Sequence, residues 1–406
     1  MVTVEEALRL IHSHVTPVST EVLPIEEATG RVVAEAITAR YDLPRFDNSA
    51  MDGYAVTLAD AGSTLRCRAT ILAGDTPEGI RVEKGSAVKI MTGAMIPAGT
   101  DAVIPKESVQ IDGDMITLPD AVRKGANIRK RGEDVSAGSR IFERGETITA
   151  YGISLLASQG ITHVRVYRRP LVTVFATGHE LKMHYEKVES YQIYNSNAPM
   201  FVTRAKELGC EARFTGATAD TLASIEAHIQ SALDADLIIT SGGVSVGEAD
   251  FTLQAFENLG MERLFHKVDI KPGKPTTLGR IGKTWVLNLP GNPAAAAANF
   301  EIFGHSLIRR LRGVNTPYLA PIIAFNAEEY TLKPGKRTVL LGRYDGEKFH
   351  ILSRQGPGMV RPFKEAEGFI VTDGKIEKLE TGQSVQMIPL QWIRGAEEER
   401  NIFTSA

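Results

Sequence analysis

The chain has 406 residues, 43% of them hydrophobic and 23% charged, with a formal net charge of −3. That length exceeds a single core and implies roughly two to four domains, and the near-neutral charge argues against nucleic acid as the main partner. Cys67 and Cys210, the only cysteines, can make neither a disulfide framework nor a thiolate zinc site and fit a reducing, cytoplasmic setting; the acidic N-terminus does not read as a signal peptide, and no apolar run of about eighteen residues predicts a membrane span.

Thr3 and Glu6 form a capping box for a first helix that runs to about His14. A second helix is predicted over Ile25–Ala36, and Pro44 stops regular structure. From residue 46 to 140 short β-like pieces (Arg66–Leu72, Ala87–Met91, Ala102–Pro105, Met115–Leu118) alternate with Gly and Pro turns, which predicts a small inserted β domain. Thr149–Gly160 reads as helix again, so residues 1–45 and 141–169 are grouped as one discontinuous, helical N-terminal domain.

Arg168-Arg169-Pro170 marks a boundary. Residues 170–315 then follow a strand–loop–helix rhythm: Leu171–Ala176, Asn197–Leu208, Glu211–Thr215, Thr221–Leu233, Leu237–Ile239 and Phe251–Leu259. Such alternation predicts a doubly wound α/β domain. Ala294–Ala298, entered through Pro293, predicts a tightly packed helix start. Thr316-Pro317 is a second boundary. Residues 316–406 hold further strand-like runs, among them Thr338–Tyr344, Gly368–Thr372 and Ser384–Pro389, and read as a C-terminal β domain. The predicted fold is therefore a multidomain α/β protein with a central doubly wound domain.

Three segments could carry chemistry. After the apolar run Leu237–Ile239, the turn Ser241-Gly242-Gly243 exposes successive backbone N–H groups, a cup for an anion. Gly247 keeps the loop open, and Glu248 and Asp250 follow. Carboxylates beside such a cup repel a bare phosphate, but a divalent cation between them reverses the sign; a Gly-rich turn with a solvated acidic rim explains the same residues equally well. Lys267, Lys271 and Lys274 fall within eight residues. In an extended strand Lys267 and Lys271 share a face and could hold an anion as point charges, although a solvated basic loop is the plainer reading. In Leu289-Pro290-Gly291-Asn292-Pro293 two prolines stiffen a strand-to-helix turn whose amides could face a ligand. By composition, Phe46–Val56, Thr92 and Asp134 are turn residues and no more. No P-loop, no G-x-G-x-x-G after a strand, no G-x-S-x-G and no convincing histidine cluster is present.

Taken together these segments resemble one family, the molybdopterin molybdenumtransferases of the MoeA type, similar also to the E domain of gephyrin. The resemblance rests on Phe46–Val56 (F-D-N-S-A-M-D-G-Y-A-V), Met91–Gly93 (M-T-G), Asn127–Val135 (N-I-R-K-R-G-E-D-V), Thr177–Leu181 (T-G-H-E-L), Asn195–Asn197 (N-S-N), Ser241–Phe251 (S-G-G-V-S-V-G-E-A-D-F), Lys271–Pro275 (K-P-G-K-P) and Leu289–Pro293 (L-P-G-N-P). It implies insertion of molybdate into adenylylated molybdopterin with release of AMP, with magnesium as cofactor, in an elongated homodimer, and a molybdopterin adenylyltransferase as a partner. The implied catalytic residues are Asp52, Glu180, Asp220, Asp250, Lys267 and Lys271. Substrate would be bound by Thr92, Arg129, Asp134, Ser241, Gly242, Gly243, Ser245, Gly247, Pro290, Gly291, Asn292 and Pro293. Glu180, Asp220, Glu248 and Asp250 would hold the Mg2+. Two departures are visible. His179 stands where the family has Asp or Asn, and Gln355-Gly356-Pro357-Gly358 stands where the family commonly carries a serine. The alternatives are a scaffold that binds a partner peptide and a protein that binds or adenylates molybdopterin; the intact acids and lysines, and the D-N-S-A-M-D-G-Y segment, favour metal insertion.

Overall fold

The structure is a computed structural model and describes residues 1–178, 180–218, 221–242 and 251–390. At its centre lies a six-stranded sheet in the order Glu211–Thr218, Leu171–Thr177, Leu237–Ser241, Thr284–Leu289, Thr277–Ile281, Glu262–His266. The first four strands are parallel and the last two antiparallel. Leu237–Ser241 and Thr284–Leu289 are buried along their whole length: both faces of a central parallel strand are covered, so Leu237–Ile239 and Trp285–Leu287 are apolar on both faces. One face packs on Asn197–Glu207 and the long helical stretch Pro293–Leu311, the other on Leu222–Ser231 and Phe251–Asn258. Thr221 caps its helix by accepting from the Ser224 amide, as a Thr at that position should. Cys210 is buried in the first of these cores, and burial pushes its thiol up to about 12.

The helix Val4–His14 begins as expected, with Thr3 Oγ1 accepting from Glu6 N at 3.1 Å. Its buried face, Val4, Ala7 and Ile11, joins the central core and not the N-terminal sheet. The expectation of a helical N-terminal domain is corrected by the structure. Ile25–Ala36 is a short 3-10 turn, Ile25–Glu27, followed by the strand Val32–Val33. Gly30 takes a left-handed φ of 77°, and the two β-branched valines find a partner strand in His163–Tyr167, which also pairs with Thr20–Pro24. Beside this mostly stranded unit, only Ala150–Ser158 is helical. Its core joins residues from both sides of the insertion, Leu23 and Val33 with Phe142, Leu156 and Val166.

The inserted region forms a six-stranded sheet with the order Ala102–Pro105, Gly53–Val56, Ser86–Ile90, Thr64–Ile71, Met115–Thr117, Gln110–Asp112. At the far end of the chain five strands, Ile322–Asn326, Lys348–Ile351, Thr338–Tyr344, Gly368–Thr372 and Ser384–Pro389, close into a barrel. Closure removes the sheet's exposed edges. Among the described residues no helix is long and apolar enough to cross a membrane.

Candidate functional site

At the C-terminal edge of the parallel strands, where open α/β sheets bind ligands, lies a cleft of about 680 Å³. Two turns build it. Gly242 ends its strand with φ 106°, and a Cβ there would sit 2.8 Å from the Thr177 carbonyl oxygen, so only glycine lets the two strand ends approach. Pro290-Gly291-Asn292-Pro293 leads from the neighbouring strand into a helix and forms the facing wall. The side chain of Asn197 joins the two turns: its Nδ2 donates to Ser241 Oγ at 2.6 Å and to the Gly291 carbonyl at 2.8 Å. Ser241 Oγ in turn donates to the Pro290 carbonyl at 3.2 Å. Asn197, Ser241 and Pro290 are buried while Gly291 is exposed, so these satisfied hydrogen bonds tie the tip of the turn to a buried base.

Glu180 brings the only acid among the described residues that line it. Its carboxylate lies back against Gly178, where a Cβ would come within 2.7 Å of Oε2, and no lysine, arginine or histidine among the described residues pairs with it. An unpaired carboxylate at the mouth of a polar cleft is a hard oxygen donor of the kind magnesium takes. Asp220, Glu248 and Asp250, and with them Gly243, Ser245, Gly247 and His179, lie outside the described residues. Among the described residues no group of three metal-ligating side chains occurs.

A second cleft of about 440 Å³ abuts the first and shares Pro275, Pro290 and Asn292 with it. Lys271, Lys274 and Lys336 line it. The idea that Lys267 and Lys271 share the face of a strand is corrected here. The strand ends at His266, and residues 267–275 form a loop. Lys267 has a left-handed φ of 63° and lines neither cleft, its N–H donating to the Thr276 carbonyl at 3.0 Å and its carbonyl accepting from Val2 at 2.9 Å. Lys271 is exposed, while its backbone is fixed on both sides by the C-terminal barrel, to the Arg337 carbonyl and from the Val339 amide, each at 2.8 Å.

The C-terminal barrel also reaches the first cleft, through Gly358 and Val360. Pro357, in the segment where a serine was expected, contributes its backbone: its carbonyl accepts from Ala294 N at 2.9 Å and so occupies a helix N-terminal amide that a ligand could otherwise use.

Asp52, Thr92, Arg129 and Asp134 all lie in the inserted region and line neither cleft. Asp52 Oδ1 accepts from both the amide and the hydroxyl of Thr92, each at 2.8 Å. These bonds, the amide's first, hold the carboxyl below its ordinary range, with help from the Lys106 and Lys89 ammonium groups. Arg129 pairs in a two-stranded ladder with Asn48, and Asp134 N donates to the Leu43 carbonyl at 2.9 Å. Gly53 is obligatory, since a Cβ would lie 2.1 Å from the Ile104 carbonyl oxygen.

Sequence reasoning missed Asn197, Asn195, Tyr194 and Pro275 as lining residues. The N-S-N and K-P-G-K-P motifs contained three of them, but an amide that ties two turns together and a proline at a loop end carry no local signal.

Family profiles match the chain in three segments: "MoeA N-terminal region (domain I and II)" over residues 2–160, "Probable molybdopterin binding domain" over 173–310 and "MoeA C-terminal region (domain IV)" over 324–390. The molybdopterin molybdenumtransferase of Haemophilus influenzae is 36% identical across 97% of this chain and 100% of its own length. That of Bacillus subtilis is 32% identical across 98% and 96%. A crystal structure of a Pyrococcus horikoshii molybdopterin biosynthesis MoeA protein superposes with a TM-score of 0.82 at 31% identity, covering 97% of this chain and 100% of that one. A second from the same source reaches 0.84 at 26% identity, over 95% and 99%.

Proposed function

The chain belongs to the MoeA family of molybdopterin molybdenumtransferases, transferases of molybdenum cofactor biosynthesis, and from that premise we propose that it inserts molybdate into adenylylated molybdopterin and releases AMP. The observation that carries this reading is the pair of abutting clefts that share Pro275, Pro290 and Asn292, one lined by Glu180 and the other by Lys271, Lys274 and Lys336 with a single acid among the described residues, Asp269, that Arg337 neutralises at 3.4 Å. A tetrahedral dianion and a pyrophosphate-linked pterin need such a division: cationic groups for the oxyanion, and a walled groove for the organic substrate, opening into each other.

In this mechanism Lys271 and Lys274 bind molybdate as point charges, and Ser241, Gly242, Gly243, Ser245 and Gly247 bind the phosphates; the Gly242 amide already donates to the Leu289 carbonyl at 3.4 Å, so Gly242 serves through the space its missing side chain leaves. Lys267 acts on the fixed position of that loop through its backbone. Pro290, Gly291, Asn292 and Pro293 form the wall against which the substrate is oriented. Glu180, with Asp220, Glu248 and Asp250, would hold magnesium, which when bound neutralises the pyrophosphate oxygens. Little acid–base chemistry is required; orientation of two reactants in a rigid pocket lowers most of the barrier. Asp52, Thr92, Arg129 and Asp134 would complete the pocket of a partner subunit in a homodimer. Cytoplasmic action and hand-over from a molybdopterin adenylyltransferase fit the same reading.

The test is reconstitution. The purified full chain, supplied with adenylylated molybdopterin, molybdate and magnesium, is expected to yield active molybdenum cofactor and AMP in equal amounts. Failure to release AMP would remove the adenylylated substrate from the proposal, and full activity after exhaustive chelation would remove the magnesium.

A further inference from the structure

The loop that carries Lys271 and Lys274 has two peptide carbonyls between its lysines, those of Pro272 and Gly273. Carbonyl oxygens carry partial negative charge and would repel an oxyanion if they faced the lysine-lined cleft. They do not face it freely, because each is held by a side chain from beneath. Asn299, fully buried in the helix that starts at Pro293, donates from Nδ2 to the Pro272 carbonyl at 3.1 Å and to the Ala295 carbonyl at 2.7 Å. Thr276, also fully buried, shares its hydroxyl proton between the Gly273 carbonyl at 2.9 Å and Asn299 Oδ1 at 3.0 Å, and its own amide adds a longer bond to the Gly273 carbonyl at 3.3 Å. The loop is seated closely on this pair: at Gly273, whose φ is 118°, a Cβ would fall 1.7 Å from Asn299 Nδ2.

In a trans peptide the N–H points opposite to the C=O. Fixing the two carbonyls on Asn299 and Thr276 therefore turns the Gly273 and Lys274 amides the other way. Both residues line the lysine cleft, and neither amide meets an acceptor among the described residues. Successive amides of this kind form an anion-binding concavity.

We infer that Asn299 and Thr276 are positioning residues for the oxyanion substrate: they hold the Pro272 and Gly273 carbonyls inward, so that the loop offers amide hydrogens and ammonium groups to molybdate. This rests on the proposed function, and it adds two residues that touch no substrate. Asn299 also links the two clefts mechanically, since the helix that contains it begins at Pro293 in the wall of the first.

The experiment uses the full chain and molybdate itself as the probe, with equilibrium binding measured by calorimetry beside steady-state KM and kcat. Thr276→Val keeps the shape and removes the hydroxyl; Thr276→Ser keeps the hydroxyl. Thr276→Val should weaken molybdate binding about tenfold, the loss expected for one hydrogen bond's orienting effect, and raise the molybdate KM alike. The affinity for adenylylated molybdopterin, kcat and the melting temperature should stay near wild type. Thr276→Ser should bind molybdate within about twofold of wild type. Asn299→Asp, which sets a carboxylate against two carbonyls, should lose more, and the Thr276 pair decides the matter if that variant does not fold. Unchanged molybdate binding in Thr276→Val, equal loss in Thr276→Ser, or equal weakening of both substrates would overturn the inference while wild-type turnover leaves the proposed function standing. A wild-type chain that neither binds molybdate nor turns over would overturn both.

Discussion

The cleft at the end of the central strands and the motif-bearing face of the inserted region are alike in chemistry and opposite in construction. Both gather short polar side chains from several turns. In the first, Asn197, Ser241 and the Pro290–Pro293 turn form a hydrogen-bonded wall around a cavity. In the second, Asp52 and Thr92 meet on a surface that lines neither cleft, and Arg129 pairs with Asn48. A cavity excludes water and strengthens every charge inside it; an open face does not, and its charged groups stay screened. The proposed homodimer would set this unwalled face against the pocket of a second subunit.

The largest expected effect tests that contrast directly. If Asp52 of one subunit completes the pocket holding Asp250 of another, Asp52→Ala and Asp250→Asn homodimers should each be inactive. Random subunit exchange makes about half the dimers mixed, each with one intact site, so about a quarter of wild-type turnover should return. No recovery after confirmed exchange would place both residues in one chain's site and end the comparison.

Framework and chemistry should also separate. Glu301 is buried, paired with Arg204 at 2.8 Å, and kept below the ordinary carboxyl range by His305 and Arg204 against the cost of its burial. Glu301→Ala leaves Arg204 without its buried partner and should cost about 3 kcal/mol in denaturant unfolding. Lys271 is the converse. Its side chain is exposed, so Lys271→Ala should leave the melting temperature nearly unchanged while lowering molybdate-dependent turnover about 10- to 100-fold, the range of one charged hydrogen bond. A Lys271→Ala chain that is fully active, or unfolded, would break the division.

The smallest effect concerns acid. Thr92 depresses the Asp52 carboxyl, so Asp52 contributes stability above its unfolded pKa that is lost only as pH falls through the lower folded value. Thr92→Val removes one of the two bonds. The Asp52 titration, followed by carboxyl NMR, should move up, so its stabilising contribution should be smaller and should be fully lost at a higher pH than in wild type. An unmoved titration would leave the amide of Thr92 as sufficient cause.

Much of the fold was legible where the signal is local. Thr3 and Thr221 announced their helices because a cap is a contact between near neighbours. Thr338–Tyr344, Gly368–Thr372 and Ser384–Pro389 were readable as strands from their own residues. Leu237–Ile239 was readable as a buried strand with a glycine turn after it, but the turn's own residues did not separate a ligand cup from a solvated loop. Ile25–Ala36 was misread because its apolar spacing suits a helix, and only pairing with His163–Tyr167, distant in sequence, makes Val32–Val33 a strand.

What tertiary structure alone decided is which surfaces meet. Composition marked Lys267 and Lys271 as equals, yet a left-handed residue and a loop seated on Asn299 separate them, leaving only Lys271 in a cleft. The first helix could have covered any apolar face; it covers the central core because Val4, Ala7 and Ile11 fit there. Periodicity and capping are set by neighbours within a turn or two, and a sequence states them outright. Packing between distant segments depends on the summed shape of both, and it fixed the walls of the cleft, the seat of the lysine loop and the open face around Asp52.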